Sequence, residues 1–568
     1  MVILGIGTPF SHDPSASLLI DGKIVALCDE ERIIRQKHAM EKRPVNAIKF
    51  CLSKAGIKPE DVDVVAYPWS FNAYQAKKWE FVKRCWKTRP AHAYKFILRA
   101  NRFRKDKVDK LNKTLIESGI DPSKVKIQFV EHHMAHASSA YHLSGFKDAA
   151  IMSIDGAGEF TSTLFAYGID GEIRKIKEII YPDSLGMFYA TMTEYLGFEA
   201  NDGEYKVMGM APYGDPKKID FSHFVKYDKH SFTIDDHFVC ARLAHRVRPD
   251  RMYSTKFVEN WGPPRSGDGL SEPYIHIAAK TQQTLEDIVV TLMESHLGSV
   301  LRSNGGRLCF AGGCALNVKL NKKLIEHPMV KELFVQPASN DSGTSLGAAT
   351  YAAHSLGEEI EPMKHVYYGP SYTNAQIKEV LDRFKIKHEK CPDVAEKVSG
   401  LLADGNIVAW FQGAMEFGPR ALGNRSILGN PTIKGTADEI NSRIKFRENW
   451  RPFCPSILLE FADQIVTTRH PSPYMTFSFT VRDEWIPRIP EVVHVDKSAR
   501  PQFVDKETNP LFYNLIKAFQ NKTGVPVVIN TSLNRRGEPI VCSPEDAIHM
   551  FFNCGLEYMA IGDYLIEK

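Results

Sequence analysis

One short plan occurs twice in this chain, and it limits the folds open to it. An apolar run at 2–7 leads through a polar loop at 8–14, which carries His12 and Asp13, into strand-like runs at 15–20 and 23–28. Asp21-Gly22 separates those two runs and is a hairpin signal, because both residues tolerate left-handed backbone. The plan returns as an apolar run at 149–154, a loop at 155–159, a run at 161–167, Asp170-Gly171 and a further run from Glu172. The spacing from strand end to hairpin turn is about the same in both copies. A chain of 568 residues also exceeds what one core supports, so about two to four domains are expected.

A duplicated strand–loop–hairpin unit with helices after it is the plan of actin-like and sugar-kinase-like ATPases, whose two lobes close over a nucleotide. The expected class is α/β. A boundary follows at 357–370, where Glu, Pro and Tyr break the pattern. This divides the chain into a first domain at 1–360 and a second at 374–568.

The chemistry gathers just before the second copy and within it. His132-His133-Met134-Ala135-His136 places two imidazoles four residues apart, stacked on one face of a helix where they can share a metal ion. Alone, such a pair reads as surface histidines at a helix start. Here a strand follows and delivers Asp155 into the glycine-rich turn Gly156-Ala157-Gly158-Glu159. Two further turns join a strand to a helix start: Ala311-Gly312-Gly313-Cys314-Ala315-Leu316-Asn317 and Ala338-Ser339-Asn340-Asp341-Ser342-Gly343-Thr344. Each presents free backbone N–H groups to a phosphate or ribose.

The second domain is rich in arginine on loops. Arg420, Arg425, Lys445, Arg447, Arg451 and Arg500 lie in stretches of Gly, Pro and Asn. A guanidinium fork suits a small phosphate, and two or three of these side chains are expected to pair instead with carboxylates such as Glu416 and Glu448.

The totals exclude several classes. The net charge of +4 predicts no bulk nucleic-acid affinity, and the 43% hydrophobic and 25% charged fractions are ordinary for a globular protein. No apolar run is long enough to cross a bilayer, and the start MVILGIGTPF reads as a first strand rather than a signal peptide. No membrane partner is expected. Ten cysteines without a CxxC pair suggest buried thiols in a reducing cytoplasm.

Ten motifs in order carry a family resemblance: HDPSAS (12–17), EERIIRQKH (30–38), HHMAHASSA (132–140), IDGAGE (154–159), YKVMGMAPYG (205–214), GGCALN (312–317), NDSGTS (340–345), EFGPRALGNRSIL (416–428), FRENWRPF (446–453) and NTSLNRRGEPI (530–540). Together they make the chain resemble, over essentially its whole length, the O-carbamoyltransferases of natural-product and nodulation-factor biosynthesis, antibiotic pathways among them. The resemblance implies an actin-like (ribonuclease-H-like) first domain similar to tRNA threonylcarbamoyl-transferring proteins. The second domain would be a smaller α/β unit, like the partner that makes threonylcarbamoyl-adenylate. Carbamoyl phosphate and ATP would react there to give carbamoyl-adenylate and pyrophosphate. The first domain would then move the carbamoyl group to a hydroxyl of a small-molecule acceptor.

By position, the resemblance implies a divalent metal, usually iron(II), on His132, His136, Asp155 and Asp341. Gly156, Gly158, Gly312, Gly313 and Asn317 would line the nucleotide. His12 would be the general base for the acceptor hydroxyl, with a pKa near neutrality. Lys37 would polarise the carbamoyl carbonyl or hold phosphate. Lys445, Arg451 and Arg500 would bind carbamoyl phosphate, Asn530 and Asn534 would position its amide or the ribose, and Arg420 and Arg425 would support them. Cys314 departs from the small β-branched residue usual at its turn.

The stretch 77–113 is not a family signature. It carries fourteen Lys or Arg against Glu80, Asp106 and Asp109, with Trp79, Phe81, Trp86, Tyr94, Phe96 and Phe103 interleaved. Such a stretch is able to bind nucleic acid or an anionic surface, and the reading favoured is a solvated helical insertion that packs its aromatics on the lobe. An anionic acceptor is the expectation it raises for acceptor choice. A tRNA threonylcarbamoyl-type transferase would share the first domain but not the EFGPRALGNRS and NTSLNRRGEP motifs. A hydrogenase-maturation carbamoyltransferase would need zinc-finger cysteine pairs. An actin-like ATP-binding scaffold would leave the arginines of the second domain without a purpose. The acceptor, the metal and the oligomeric state stay open, a homodimer included.

Overall fold

Apolar side chains fill both faces of Val2–Gly7 (β1), as a strand in the middle of a sheet requires. The computed structural model describes residues 1–7, 12–88, 90–235, 237–239, 251–467 and 470–568. Part of the expected polar loop, 8–11, lies outside the described residues, as do the side chains of Phe96 and Phe103.

The chain divides into two compact units. One is Met1–Val25 with Lys42–Pro362, and the other is Ala26–Glu41 with Met363–Lys568. In the first, β1 pairs antiparallel with Ser15–Ile20 (β2), which precedes Lys23–Asp29 (β3). On its other side β1 runs parallel to Val64–Tyr67 (β4), and Lys126–Phe129 (β5) closes the order β3-β2-β1-β4-β5. The second sheet repeats this. Asp148–Ile154 (β6) pairs antiparallel with Thr161–Ile169 (β7), followed by Glu172–Ile180 (β8). After a small hairpin of Val225–Tyr227 (β9) and Phe232–Ile234 (β10), Arg307–Ala311 (β11) lies parallel to β6, and Glu332–Val335 (β12) parallel to β11. The order β8-β7-β6-β11-β12 matches that of the first sheet. Both hairpin turns take left-handed backbone at both residues, with φ of 49° and 74° at Asp21-Gly22 and 49° and 87° at Asp170-Gly171. The duplicated actin-like plan read from the sequence is therefore present, and the fold is α/β.

Small residues bring two helices close behind these sheets. The helix Gly343–Ser355 is built from Gly, Ser, Thr and Ala with few larger side chains, and it packs on His132–Tyr141. A Cβ on Gly347 would lie 1.8 Å from the Ala135 carbonyl oxygen, so only glycine permits this approach. Ser15 Oγ donates to the Ser342 carbonyl at 2.6 Å, and Ser17 Oγ lies 2.6 Å from Ser345 Oγ. These contacts hold the turn containing Asp341 against the first hairpin and beside the histidine helix.

The second unit holds a mixed eight-stranded sheet. Its order is Glu389–Lys390, Tyr564–Glu567, Tyr558–Ile561, Val408–Phe411, Arg425–Gly429, Val527–Ser532, Cys454–Leu458 and Gln502–Val504. The helices Val394–Ala403 and Pro510–Thr523 pack on each other. The unbroken first domain expected at 1–360 needs correction at Ala26–Glu41, which folds with the second unit. Arg32 Nη2 donates to the Gly418 carbonyl at 2.9 Å, Arg35 donates to the carbonyls of Ile540 and Pro539 at 2.6 and 2.8 Å, and Ile33 packs on Met415, Ile540 and Cys542. A break in composition marks where the chain changes domain for the last time, and it is silent about an earlier excursion.

Candidate metal and anion sites

His132–Tyr141 is buried along its whole length, so its first turn aims two imidazoles at a protein interior rather than at water. The Nε2 atoms of His132 and His136 are 3.1 Å apart. Asp155, at the end of β6, brings Oδ2 to 3.3 Å from His132 Nε2 and 3.6 Å from His136 Nε2. Asp341 brings Oδ1 to 3.5 and 3.7 Å from the same atoms. The four ligand atoms lie within 4.8 Å of one another. Two imidazole nitrogens facing each other between two carboxylates form a donor set suited to a first-row divalent cation, and the residues fit such an ion. His133 points elsewhere. Its Nδ1 lies 2.8 Å from Ser153 Oγ, and burial, then the charges of His132 and His136, push its pKa well down.

His12 reaches this cluster, with Nε2 3.6 Å from Asp341 Oδ2 and Nδ1 3.4 Å from Asp13 Oδ2. Burial alone would lower its pKa. Asp13 and Asp341 outweigh burial and raise it to about 9. With these carboxylates uncompensated, its pKa lies above the near-neutral value expected from sequence.

The glycine turns gather around Asp155. Gly313 N donates to Asp155 Oδ1 at 3.0 Å, and Ser184 Oγ donates to the Gly156 carbonyl at 2.6 Å. Gly158 sits against His132 and His133. Gly312 has φ 90° and ψ 159°, a region that only glycine enters freely, and a Cβ there would meet the Ile154 carbonyl oxygen at 2.3 Å. Asn317 does not present its amide to this space. Its Oδ1 caps the helix Val318–Ile325 by accepting from Leu320 N at 3.0 Å, and its amide faces that of Gln282. It therefore supports the turn rather than lining a ligand.

Glu159, quoted in the motif but given no task from sequence, positions the histidine helix. Its buried carboxylate accepts from Ser70 N at 2.6 Å and from His132 N at 3.2 Å, capping the turn that carries the ligands. Lys107 also turns inward from the basic stretch. Its ammonium sits 4.2 Å above the Trp69 ring, and burial brings its pKa down to about 7 against the opposing pull of Glu159.

The second unit gathers cations. Lys445 ends a π-helical turn, Ile440–Lys445. Its buried ammonium donates to the carbonyls of Ser532 and Asn534 and, at 2.8 Å, to Asn534 Oδ1. Burial, then Arg447, Arg451 and Lys37, push its pKa well below the usual lysine value. Lys37 folds with this unit, and its charge reaches Lys445. Arg451 lies 3.4 Å from the buried carboxylate of Glu448.

Next to this group, on neighbouring strands, Cys454 faces Asn530 and Ser456 faces Gln502. Arg500 donates through Nε and Nη2 to Cys454 Sγ at 3.0 and 2.8 Å. Asn530 is buried, donates to Ser456 Oγ at 2.9 Å, and keeps an Oδ1 with no partner among the described residues. Two further residues of this group bond within the fold. Arg425 is wholly buried, stacks 3.7 Å from the Phe411 ring and spends its guanidinium on the carbonyls of Gln412, Asn424 and Pro370. Asn534 is committed to Lys445, Ser532 and the Glu538 carbonyl. Arg420 is half-buried on the loop before Arg425.

The family model of the carbamoyltransferase N-terminus matches residues 2–350, and that of the carbamoyltransferase C-terminus matches residues 399–568. The chain belongs to the carbamoyltransferase family. This carbamoyltransferase is 36% identical over 619 residues to the uncharacterized protein sll1178 of Synechocystis sp., a match that spans 100% of this chain and 96% of that one. It is 36% identical over 575 residues to the nodulation protein NolNO of Sinorhizobium fredii, spanning 100% of this chain and 80% of that one. The solved structure of HypF from T. kodakarensis is similar over 63% of this chain and 48% of that one, at 13% identity and a TM-score of 0.31.

Both groups of polar side chains therefore belong to an enzyme that transfers a carbamoyl group. Among the carbamoyltransferase's described residues, no helix is long and apolar enough to cross a membrane. Sequence reasoning passed over Glu159 and Cys454. Glu159 was detectable as the carboxylate that ends the glycine-rich turn after Asp155, whereas nothing local to Cys454 marks it as the partner of Arg500.

Proposed function

We propose that this enzyme is an ATP-dependent O-carbamoyltransferase that divides its reaction between the two units. In the second unit, Lys445, Arg451, Arg500 and Lys37 bind carbamoyl phosphate and the ATP phosphates. The carbamoyl group leaves its first phosphate as inorganic phosphate, water supplying the oxygen. The resulting carbamate oxygen attacks the α-phosphorus of ATP, giving carbamoyl-adenylate and pyrophosphate. Asn530 Oδ1, a buried acceptor, suits the carbamoyl amide N–H.

In the first unit, the turns at Gly156, Gly158, Gly312 and Gly313 receive the adenylate. The acceptor hydroxyl oxygen then attacks the carbamoyl carbon, AMP leaves, and the hydroxyl proton passes to His12 once that imidazole is neutral. A divalent cation on His132, His136, Asp155 and Asp341, iron(II) by the resemblance, would neutralise charge on the leaving phosphate. A small-molecule hydroxyl is the acceptor class in this reading, and the cytoplasm is its compartment. The observation that carries the proposal is the separation of donor types. The His2Asp2 set lies in one unit, and the cationic cluster around Lys445 lies in the other.

The decisive experiment follows pyrophosphate release from ATP and carbamoyl phosphate with iron(II) and no acceptor. Carbamoyl-phosphate-dependent release should persist in His132→Ala and be lost in Lys445→Met. ADP formation, or release that ignores carbamoyl phosphate, would overturn the reading.

A further inference from the structure

The helices Phe71–Thr88 and Pro90–Glu117 do only part of what a solvated insertion should. Their inner side is satisfied. Phe81 is buried and stacks on Phe160 at 5.0 Å, Lys77 donates to Glu178 at 2.5 Å, and Arg84 pairs with Asp183. The outer side is not the polar face that water selects. Trp79 is 57% exposed and Trp86 53%, and with the exposed Lys83 they recur at i, i+4 and i+7 along one face. On the following helix Tyr94 is 57% and Ile97 37% exposed, with Lys105, Lys110 and Lys113 exposed further along. The expectation that the aromatics pack on the lobe therefore holds for Phe81 and fails for Trp79, Trp86 and Tyr94.

We propose that this helical pair docks on an anionic lipid surface. Tryptophan and tyrosine favour the headgroup level of a bilayer, where the ring is buried and the polar edge stays wet. A helix with such rings and lysines on its free face lies in the plane of that interface. The charge is complementary: 77–113 carries fourteen Lys or Arg against three acidic residues, and Lys83, Lys105, Lys110 and Lys113 among them are exposed. Nucleic acid is the lesser fit. Bases stack on open ring faces, whereas Lys78 Nζ lies 5.2 Å over the Trp79 ring. The association is peripheral, because no described helix is apolar enough to span.

The test is co-sedimentation of the full-length protein with vesicles of phosphatidylcholine alone and of equimolar phosphatidylcholine and phosphatidylglycerol. Partition onto the anionic vesicles should be at least about tenfold stronger and should fall as salt rises. The double variant Trp79→Ala/Trp86→Ala should lose most of this binding while keeping the thermal melt of the parent. If that variant does not fold, Lys83→Gln/Lys113→Gln, which changes exposed side chains only, should lower anionic-vesicle binding several-fold. Equal binding to both vesicles, absence of binding, indifference to both variants, or Trp-dependent retention on single-stranded RNA in place of vesicles would overturn the proposal. None of these readouts uses carbamoyl transfer, so failure here is separate from failure of the reaction proposed above.

Discussion

His132 and His136 turn their Nε2 atoms toward each other across 3.1 Å, one helical turn apart and with a carboxylate on either side. Two protons cannot occupy that gap comfortably, and a shared cation relieves both rings. His136→Ala should therefore lower affinity for a divalent metal by more than about 100-fold, and Glu159→Gln, which loosens the cap on the same turn, by about 10-fold. Metal content per chain after equilibration with iron(II) and gel filtration checks this. Unchanged metal content in His136→Ala would remove the site.

Lys445 supplies a second prediction. Its pKa is held down by burial and by Arg447, Arg451 and Lys37, and a bound anion reverses the influence of those charges. Anion binding favours the protonated ammonium, so affinity for carbamoyl phosphate should fall as pH rises through the free enzyme's lowered Lys445 pKa. Calorimetric titration at a series of pH values below the ordinary lysine pKa should show this decline, and Lys37→Met should weaken binding less than Lys445→Met does. A flat pH profile would place carbamoyl phosphate elsewhere.

Gly312 is held at φ 90° and ψ 159° with its missing Cβ directed at the Ile154 carbonyl. Gly312→Ala should cost about 2–4 kcal/mol of stability, combining backbone strain with a clash that Ile154 cannot yield to inside β6. Urea denaturation would measure it. A cost below about 0.5 kcal/mol would mean the turn adopts another path in solution.

His142 gives the pH dependence of stability. Burial lowers its pKa to about 4, opposed by the Gly171 carbonyl, which lies 2.8 Å from Nε2. The unfolded chain takes up a proton near the ordinary value of 6.5, before the folded one does. The stability from the neutral ring is therefore complete above pH 6.5 and declines toward pH 4, by up to about 3 kcal/mol. Denaturation midpoints at pH 7 and 5 should differ less in His142→Gln than in the parent. An equal difference would show that other groups set the acid limit.

Legibility in the sequence followed the range of the interactions. The duplicated strand order and both Asp-Gly hairpins were readable because alternation and turn chemistry act over a few residues. The histidine pair was readable because helical spacing alone stacks positions four apart. The partners of Arg425 were not readable, because a loop arginine in a Gly-rich stretch looks the same whether it grips a ligand or three carbonyls. Two roles stay open for Lys37 from sequence because nothing in its local motif shows which charges surround it, whereas in the fold its charge reaches Lys445.

By itself the sequence determined the family, the duplicated α/β plan and the set of donors, since those depend on residue identity and short spacing. Tertiary structure decided which donors meet. Glycine and alanine packing between two helices brings Asp341 to His132 and His136, and strand pairing sets Cys454 and Arg500 beside Asn530. It also decided which polar groups are spent inside the fold. Arg425 and Asn534 are consumed by main-chain and side-chain partners that converge only on folding, because a buried polar group must be bonded somewhere, and only the fold determines where.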